Sequence, residues 1–322
     1  MDKVIVLASQ IDKHLGLFKD LEKNDISIMH YVDLKNTGNI TGFIRRIHLS
    51  SRLFWGTTRP PFRYIWYNYG NKLSLNNVKA IIVSASCIDQ ISLSYLKKCQ
   101  LKGIKIILLL LDSIQADSLV VRRNRNRFFL KLWDRVVTFD PKDAEYYGFT
   151  YKGFCCYSKQ SIKLSNIPEY DVYFTGTTKG NRSKMINETY QYFSSCGLKC
   201  MYDVQLRDKS VGKSPGINYI KRWIKYEDIL IKLANSKCVL EIVQSNQNGP
   251  SLRYFESIFY NKKLITNNNR IVNYPYYNPQ WMKIIEKPED IDVEWVKNSE
   301  IVDYHYNGEF SPIHFVKYIL SL

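Results

Sequence analysis

Two segments of the sequence combine glycine, hydroxyl and arginine residues in patterns suited to binding a phosphate. The first is Thr175-Gly-Thr-Thr-Lys-Gly180, which follows a predicted strand at 171–174 and precedes a predicted helix at 182–195. Glycines let backbone N–H groups approach an anion, and a helix N-terminus and an arginine add positive charge. Gly176, Thr177 and Arg182 are therefore candidate diphosphate ligands. The segment matches neither the Walker A pattern nor GxGxxG, so a strand-to-helix turn without a ligand is the alternative.

The second segment begins where a predicted buried strand, 238–243, runs into a loop rich in Asn and Gln. A helix is predicted to begin at Pro250, a residue accepted at the first helical position. Ser251 and Arg253 then suit a diphosphate, and Glu256 lies one helical turn beyond Arg253, where its carboxylate can accept hydrogen bonds from ribose hydroxyls. The alternative is an Arg253–Glu256 ion pair on a solvated helix face.

The stretch from Glu241 to Asn268, which ends in Asn261-Lys-Lys-Leu-Ile-Thr-Asn-Asn268, resembles the donor-site segment of bacterial GT-B glycosyltransferases from capsule and lipopolysaccharide synthesis. Asp171 to Arg182 resembles the start of that family's C-terminal domain, and Leu111-Asp-Ser113 with 134–143 resembles its N-terminal half. The similarity covers about residues 105 to 270. Many retaining members carry a second Glu where this chain has Asn248, so inverting and retaining chemistry both stay open.

The resemblance implies transfer of a sugar from a nucleotide-sugar donor to a lipid-linked or oligosaccharide acceptor during surface polysaccharide synthesis. It implies donor contacts from these residues: Gly176, Thr177, Arg182, Ile224, Tyr226, Gln244, Ser251, Arg253 and Glu256. A buried turn before a helix explains Ile224 and Tyr226 almost as well. Arginines and helix N-termini would stabilise the departing diphosphate, so no metal or other cofactor is expected.

An inverting transferase also needs a base to deprotonate the acceptor. Candidates should follow strands of the first half, because ligands bind at the carboxyl ends of strands in open α/β sheets. Asp112 ends the predicted strand 105–111 and is preferred, ahead of Asp12 and then His14, which follow the first strand. A strand-end Asp that only caps a turn is the alternative.

Strands and helices alternate along the chain, as expected of parallel sheets with helices on both faces. In the first half the pattern predicts strands at 3–8, 26–32, 79–84, 105–111 and 135–139, and helices at 15–23 and 92–101. Asp140-Pro141 is predicted to start another helix. The expected fold is therefore α/β of the GT-B type, with two Rossmann-like domains facing a cleft.

The alternation restarts after Asn166-Ile-Pro-Glu169, which divides the chain into three parts. Residues 1–165 are expected to form an acceptor-binding domain and 166–300 a nucleotide-sugar-binding domain. Residues 301–322 are expected to form a tail whose helix packs back on the first domain.

The net charge of +16 is unevenly distributed. Residues 1–168 hold 26 basic and 13 acidic side chains, whereas 169–322 hold 20 and 17. No acidic residue occurs between Asp33 and Asp89, a stretch that includes a predicted amphipathic helix at 40–55 with Arg45, Arg46, Arg52 and Trp55. Arginines interleaved with aromatic residues suit an anionic membrane surface or a lipid-linked acceptor. The alternatives are single-stranded nucleic acid and a solvated face over ordinary core aromatics.

Composition narrows the class of protein. Seven cysteines without CxxC pairs argue against a disulfide framework or a zinc module. The longest apolar run is too short for a membrane span, and the N-terminus lacks a signal-peptide core. We therefore expect a cytoplasmic enzyme that works at the inner face of the membrane and does not act on nucleic acid. The rival hypotheses are a basic nucleic-acid-binding protein and a non-catalytic homologue that acts as an assembly partner.

Overall fold

The computed structural model describes residues 2–50, 61–114, 119–153, 157–162, 168–178, 182–207, 212–221, 224–244 and 249–322, without the side chains of 119, 120, 122 and 123. The chain divides into two compact units. The first contains Met1–Ser158 and Glu309–Leu322, and the second contains Lys159–Gly308. These borders replace the expected ones at 165/166 and 300/301.

The first unit is built around one mostly parallel sheet. Its elements are β1 Lys3–Ser9, α1 Gln10–His14, β2 Ser27–Leu34, α2 Asn39–His48, β3 Tyr67–Asn68, β4 Val78–Ser84, α3 Leu93–Gln100, β5 Lys105–Leu110, α4 Leu119–Phe128, β6 Arg135–Thr138, α5 Pro141–Tyr147 and β7 Thr150–Tyr151. The strand order is β3-β2-β1-β4-β5-β6-β7, with only β3 antiparallel to its neighbour. β5 is buried over five of its six residues, which explains its continuous apolar sequence.

The second unit repeats the same winding with a six-stranded sheet. Its elements are β8 Tyr170–Thr177, α6 Arg182–Ser195, β9 Cys200–Gln205, β10 Asn218–Ile220, α7 Tyr226–Ala234, β11 Ser236–Glu241, α8 Leu252–Phe259, β12 Lys263–Thr266, β13 Met282–Ile284 and α9 Val293–Lys297. All pairs are parallel, in the order β10-β9-β8-β11-β12-β13. The last helix, α10 Pro312–Leu320, belongs to the first unit.

The second sheet and the first six strands of the first sheet have the order 3-2-1-4-5-6 of a doubly wound Rossmann fold, and the first sheet adds β7 at its edge. In such a sheet the connections diverge to opposite sides between the first and fourth strands, which leaves a crevice at their carboxyl ends. The divergence falls between β1 and β4 in the first unit and between β8 and β11 in the second. The predicted α/β class with two Rossmann-like domains is therefore confirmed.

Local capping explains where the structure differs from the predicted helices. The helix predicted over 15–23 is wrong, because α1 begins directly after β1. Its start is a capping box in which the Asp12 N–H donates to Ser9 Oγ (3.1 Å) and the Ser9 N–H donates to Asp12 Oδ2 (2.8 Å). Gly16, at φ 60°, follows the helix, and the apolar residues beyond it pack in a turn and a short 3-10 segment at Lys19–Leu21.

Other predicted helix boundaries are confirmed. α6 has the predicted bounds at 182–195. Asp140 caps α5, since its Oδ1 accepts from the Lys142 N–H at 2.9 Å. The predicted start at Pro250 is wrong, because Ser251 is the capping residue of α8 and Pro250 precedes it. The amphipathic helix predicted over 40–55 is observed as α2 up to His48, and 51–60 lie outside the described residues.

No helix among the described residues is long and apolar enough to cross a membrane.

Candidate functional site

Arg182 spans the crevice of the second sheet. It is the first residue of α6, and its Nη2 donates to Thr177 Oγ1 at 2.6 Å while its Nη1 donates to the Ile242 carbonyl at 3.3 Å. Thr177 ends β8 and Ile242 directly follows β11. The guanidinium therefore bridges the two strands between which the connections diverge. Burial lowers the pKa of Arg182 below its usual value.

Gly176 and Thr177 lie within β8, so the prediction that both belong to a loop after the strand is wrong. Gly176 pairs with Val204 of β9. A Cβ at position 176 would be 2.8 Å from the Phe174 ring, so a larger residue there would have to displace this buried ring. The rest of the predicted phosphate loop, 179–181, lies outside the described residues.

The start of α8 is held by a buried carboxylate, Glu241, at the end of β11. Glu241 Oε1 accepts from the Ser251 hydroxyl at 2.5 Å and from the Ser251 N–H at 3.1 Å. Its Oε2 accepts from Thr266 Oγ1 at the end of β12, at 2.6 Å. The Ser251 hydroxyl also caps α8 by accepting from the Arg253 N–H at 3.1 Å. Ser251 therefore directs its own proton to Glu241 and helps to position Arg253.

Tyr226, Arg253 and Glu256 form a buried hydrogen-bonded group. The Tyr226 hydroxyl (2.6 Å) and Arg253 Nη2 (2.7 Å) both donate to Glu256 Oε1. The side chain of Glu256 is 1% exposed and that of Arg253 11%. The ion pair is therefore buried, and the alternative of a pair on a solvated face is wrong. Burial raises the pKa of Glu256, although Arg253 and Tyr226 oppose the shift.

Two polar atoms of this group have no hydrogen-bond partner among the described residues. They are Glu256 Oε2 and Arg253 Nη1, each almost without solvent contact. Buried polar atoms are nearly always hydrogen-bonded, and an unpaired one destabilises a protein by about 1–3 kcal/mol. Within the described part of the chain, the group therefore leaves one acceptor atom and one donor atom unpaired.

A pocket of about 410 Å³ adjoins Arg182 in the second unit. It is lined at the carboxyl ends of the strands by residues that include Arg182, Lys184, Glu188, Val243, Asn267 and Glu286. Asn267 is held in place there, because its Oδ1 accepts from the Val243 N–H at 2.7 Å. The volume is within the range of pockets that bind small molecules and cofactors.

Two further predicted donor residues lie next to elements of the second unit. Ile224 is half-buried and precedes α7, and Gln244 is half-buried and follows β11. Asn248 lies outside the described residues.

The base candidates occupy different positions at the first sheet. Asp12 is buried after β1, and its Oδ2 accepts hydrogen bonds from the Ser9 N–H and the Ser86 hydroxyl. Ser86 follows β4, so Asp12 lies where the connections of this sheet diverge. Burial raises the pKa of Asp12. Asp112 is exposed after β5, and His14 is exposed at the end of α1.

The predicted basic surface is only partly described. Arg45 and Arg46 are in the last turn of α2, whereas Arg52 and Trp55 lie outside the described residues. Within the described ranges, no three His, Cys, Asp or Glu side chains are grouped to hold a metal ion.

Glu241 was not predicted as a site residue. The available signal was an acidic residue that ends an otherwise apolar strand, Cys-Val-Leu-Glu, because a buried carboxylate needs several donors. Its partners, however, lie 10 and 25 residues away along the chain.

No protein-family model and no curated protein matches this chain. Among solved structures, the chain is similar to UDP-N-acetylglucosamine 2-epimerase from Rickettsia bellii, with TM-score 0.46 and 13% identity over 100% of this chain and 95% of that one. It is similar to the glycosyltransferase SnogD from Streptomyces nogalater, with TM-score 0.41 and 10% identity over 99% and 95%. It is also similar to UGT2 from Phytolacca americana, complexed with UDP-2fluoro-glucose and pterostilbene, with TM-score 0.46 and 10% identity over 98% and 94%. At these values neither the activities nor the ligands of those proteins are carried over to this chain.

Proposed function

We propose that this protein is a nucleotide-sugar-dependent glycosyltransferase whose second unit binds the donor. The observation that carries the proposal is the buried Tyr226–Arg253–Glu256 group, in which Glu256 Oε2 and Arg253 Nη1 are left without partners among the described residues. A ribose diol offers hydroxyl donors to a carboxylate oxygen, and a diphosphate offers acceptors to a guanidinium N–H. A nucleotide sugar carries both groups next to each other.

The winding of the sheet supports the same proposal. Arg182 and the start of α8 both lie at the carboxyl end of β11, since Arg182 donates to Ile242 and Glu241 holds Ser251. A diphosphate placed there would meet two arginines and helix N-termini, which favour negative charge. The same groups would stabilise the negative charge that develops on the leaving diphosphate. Transfer would then need no divalent cation.

The proposal also covers the acceptor and the residue that would act as the catalytic base. We take the acceptor to be lipid-linked or an oligosaccharide of a surface polysaccharide. Of Asp112, Asp12 and His14, the structure favours Asp12 as base, because it is buried at the divergence of the first sheet and its pKa is raised by burial. If Asp12 is the base, Asp12→Asn should lower turnover by about 10²-fold or more, and Asp112→Asn should not. The opposite result would transfer the assignment to Asp112.

Calorimetry of the full chain with UDP, GDP, CMP and ADP tests the donor site. One nucleotide should bind, and Arg253→Ala and Glu256→Ala should each abolish binding and transfer while the protein remains folded by circular dichroism. Lys297→Gln is the matched control, because it removes an exposed cation of the same unit on α9. Equal affinity in the wild type and the Arg253 and Glu256 variants would refute the donor site. Binding without turnover over a broad set of donors and acceptors would favour a non-catalytic assembly partner.

A further inference from the structure

α2 presents an apolar face that its own unit does not cover. Ile40, Phe43, Ile44 and Ile47 follow the i, i+3, i+4, i+7 spacing of one helical face. In a helix packed on its own domain such a face is buried, yet these side chains are 80%, 60%, 51% and 46% exposed. The only buried residue of α2 is Gly42. The face is therefore arranged for contact with something other than the core of this unit.

Two more exposed apolar side chains, Phe62 and Ile65, belong to or adjoin a segment that is hydrogen-bonded to α2. The segment 63–66 is joined to the end of β2 by hydrogen bonds from Lys35 to the carbonyls of Trp66 (2.8 Å) and Ile65 (2.7 Å). It is joined to α2 by Trp66 Nε1, which donates to His48 Nδ1 at 2.6 Å. The α2 surface is defined as Ile40, Phe43, Ile44, Ile47, Phe62 and Ile65.

The backbone at Phe62 is consistent with a functional surface. Its φ of 54° lies in the left-handed region that large side chains rarely adopt, and its side chain is 66% exposed. Burial within the unit does not offset this conformational cost. Strained residues of this kind are concentrated at functional sites.

The stretch of sequence that contains the α2 surface carries charges of one sign. Residues 34–88 contain eight Lys and Arg residues and no Asp or Glu. Of these, Arg63 is buried in an ion pair with Asp89 and is not part of the rim. Arg46 is exposed on α2, and Arg45 and Lys35 are half-buried beside it. This rim of cationic groups beside an apolar face complements an anionic, partly apolar partner.

We propose that the α2 surface docks on an anionic lipid bilayer, with its apolar side chains at the boundary between headgroups and acyl chains. Single-stranded nucleic acid is a weaker fit, because it binds through stacking on aromatic side chains and four of the six residues are Ile. A protein partner would be expected to supply acidic groups to the rim and apolar groups to its centre, and the tests below distinguish it. This proposal concerns the first unit and does not depend on the donor site.

Co-sedimentation of the full chain with vesicles tests the proposal. The protein should bind equimolar phosphatidylcholine and phosphatidylglycerol at low salt, and should bind less at high salt or to phosphatidylcholine alone. Ile40→Ser combined with Ile44→Ser should weaken binding about tenfold or more, and Arg46→Gln should weaken it about fivefold. Both isoleucines are more than half exposed, so the double variant should remain folded.

The matched control is Leu101→Ser, which removes an 80% exposed apolar side chain elsewhere in the same unit and should bind vesicles like the wild type. The double variant should also keep nucleotide affinity, which separates this proposal from the donor site. No vesicle binding at low salt, or equal binding by the double variant, would overturn the proposal. If the protein does not bind vesicles but self-associates, and the double variant abolishes self-association, the result would favour a protein partner. If it does not bind vesicles but binds RNA, and Arg46→Gln weakens that binding, the result would favour a nucleic-acid partner. Either result would overturn the proposal.

Discussion

Glu241→Gln is the most informative single substitution in the second unit, because it changes a charge without changing the shape of the side chain. The carboxylate accepts three hydrogen bonds, two from Ser251 and one from Thr266. A glutamine can keep both Ser251 bonds through its amide oxygen, but its NH₂ group then faces the Thr266 hydroxyl. Two charge-assisted hydrogen bonds thus become neutral ones, and the third is lost or reversed.

The magnitude follows from these three bonds. A hydrogen bond to a charged group contributes about 1.5–3 kcal/mol, and a neutral one about 0.5–1.5 kcal/mol. The substitution therefore removes about 3–4 kcal/mol of interaction. Part of this loss is offset because the variant no longer buries a charge. We expect the free energy of unfolding of the second unit to fall by about 2 kcal/mol.

Urea denaturation, with hydrogen–deuterium exchange of 252–259 as the local readout, measures this effect. Exchange in α8 should accelerate, since Glu241 holds the residue that caps the helix, and nucleotide affinity should fall because α8 carries Arg253 and Glu256. Glu294→Gln is the control, because Glu294 is 78% exposed and its loss should change stability by at most about 0.5 kcal/mol. If both variants unfold alike and exchange in α8 is unchanged, Glu241 does not hold this helix.

Two further predictions concern buried ionisable groups. Tyr226→Phe removes one donor to Glu256 Oε1 while Arg253 keeps its bond, so the free energy of unfolding should fall by about 1–2 kcal/mol and the pKa of Glu256 should rise further. Urea denaturation measures the first effect, and a pH titration of nucleotide binding measures the second. Unchanged values would show that the Tyr226 bond contributes nothing. Burial raises the pKa of Asp143 from 3.8 to about 6, so its contribution to stability is fully present below pH 3.8 and is lost as the pH rises to about 6. Asp143→Asn should therefore weaken this pH dependence of the urea midpoint, and an identical pH profile in both proteins would contradict the prediction.

The sequence predicts the elements of this fold better than the environment of its polar residues. The apolar strand β5 and the bounds of α6 follow from periodicity and composition. The helix predicted at 15–23 is wrong, because the Ser9–Asp12 capping box starts a shorter helix before it. Leu17, Phe18 and Leu21 are buried, but they lie in a turn and a short 3-10 segment. Periodicity detects which residues are buried, and capping decides where the helix lies.

In the candidate site, too, local contacts are predicted from the sequence and burial is not. The spacing of Arg253 and Glu256 correctly predicts that their side chains meet. It does not predict that the pair is buried, because burial depends on how α8 packs in the folded unit. Nor does it predict the bond from Tyr226, which lies 30 residues before Glu256. Glu241 was missed for a related reason, since its role depends on the ends of two elements that only the folded sheet brings together.

The division of the chain also has a consequence for the order in which the protein can assemble during synthesis. The second unit is encoded between two parts of the first, and α10 is translated after all of it. Phe315, Val316 and Ile319 of α10 are buried in the first unit, and Ser311 Oγ donates to Asp20 Oδ2 at 2.6 Å. During translation, the first unit therefore cannot complete its packing until α10 has been synthesised, whereas the second unit already has its full sequence. Nascent first units would expose an apolar strip for that interval, and a chaperone that shields such strips would be expected to act there.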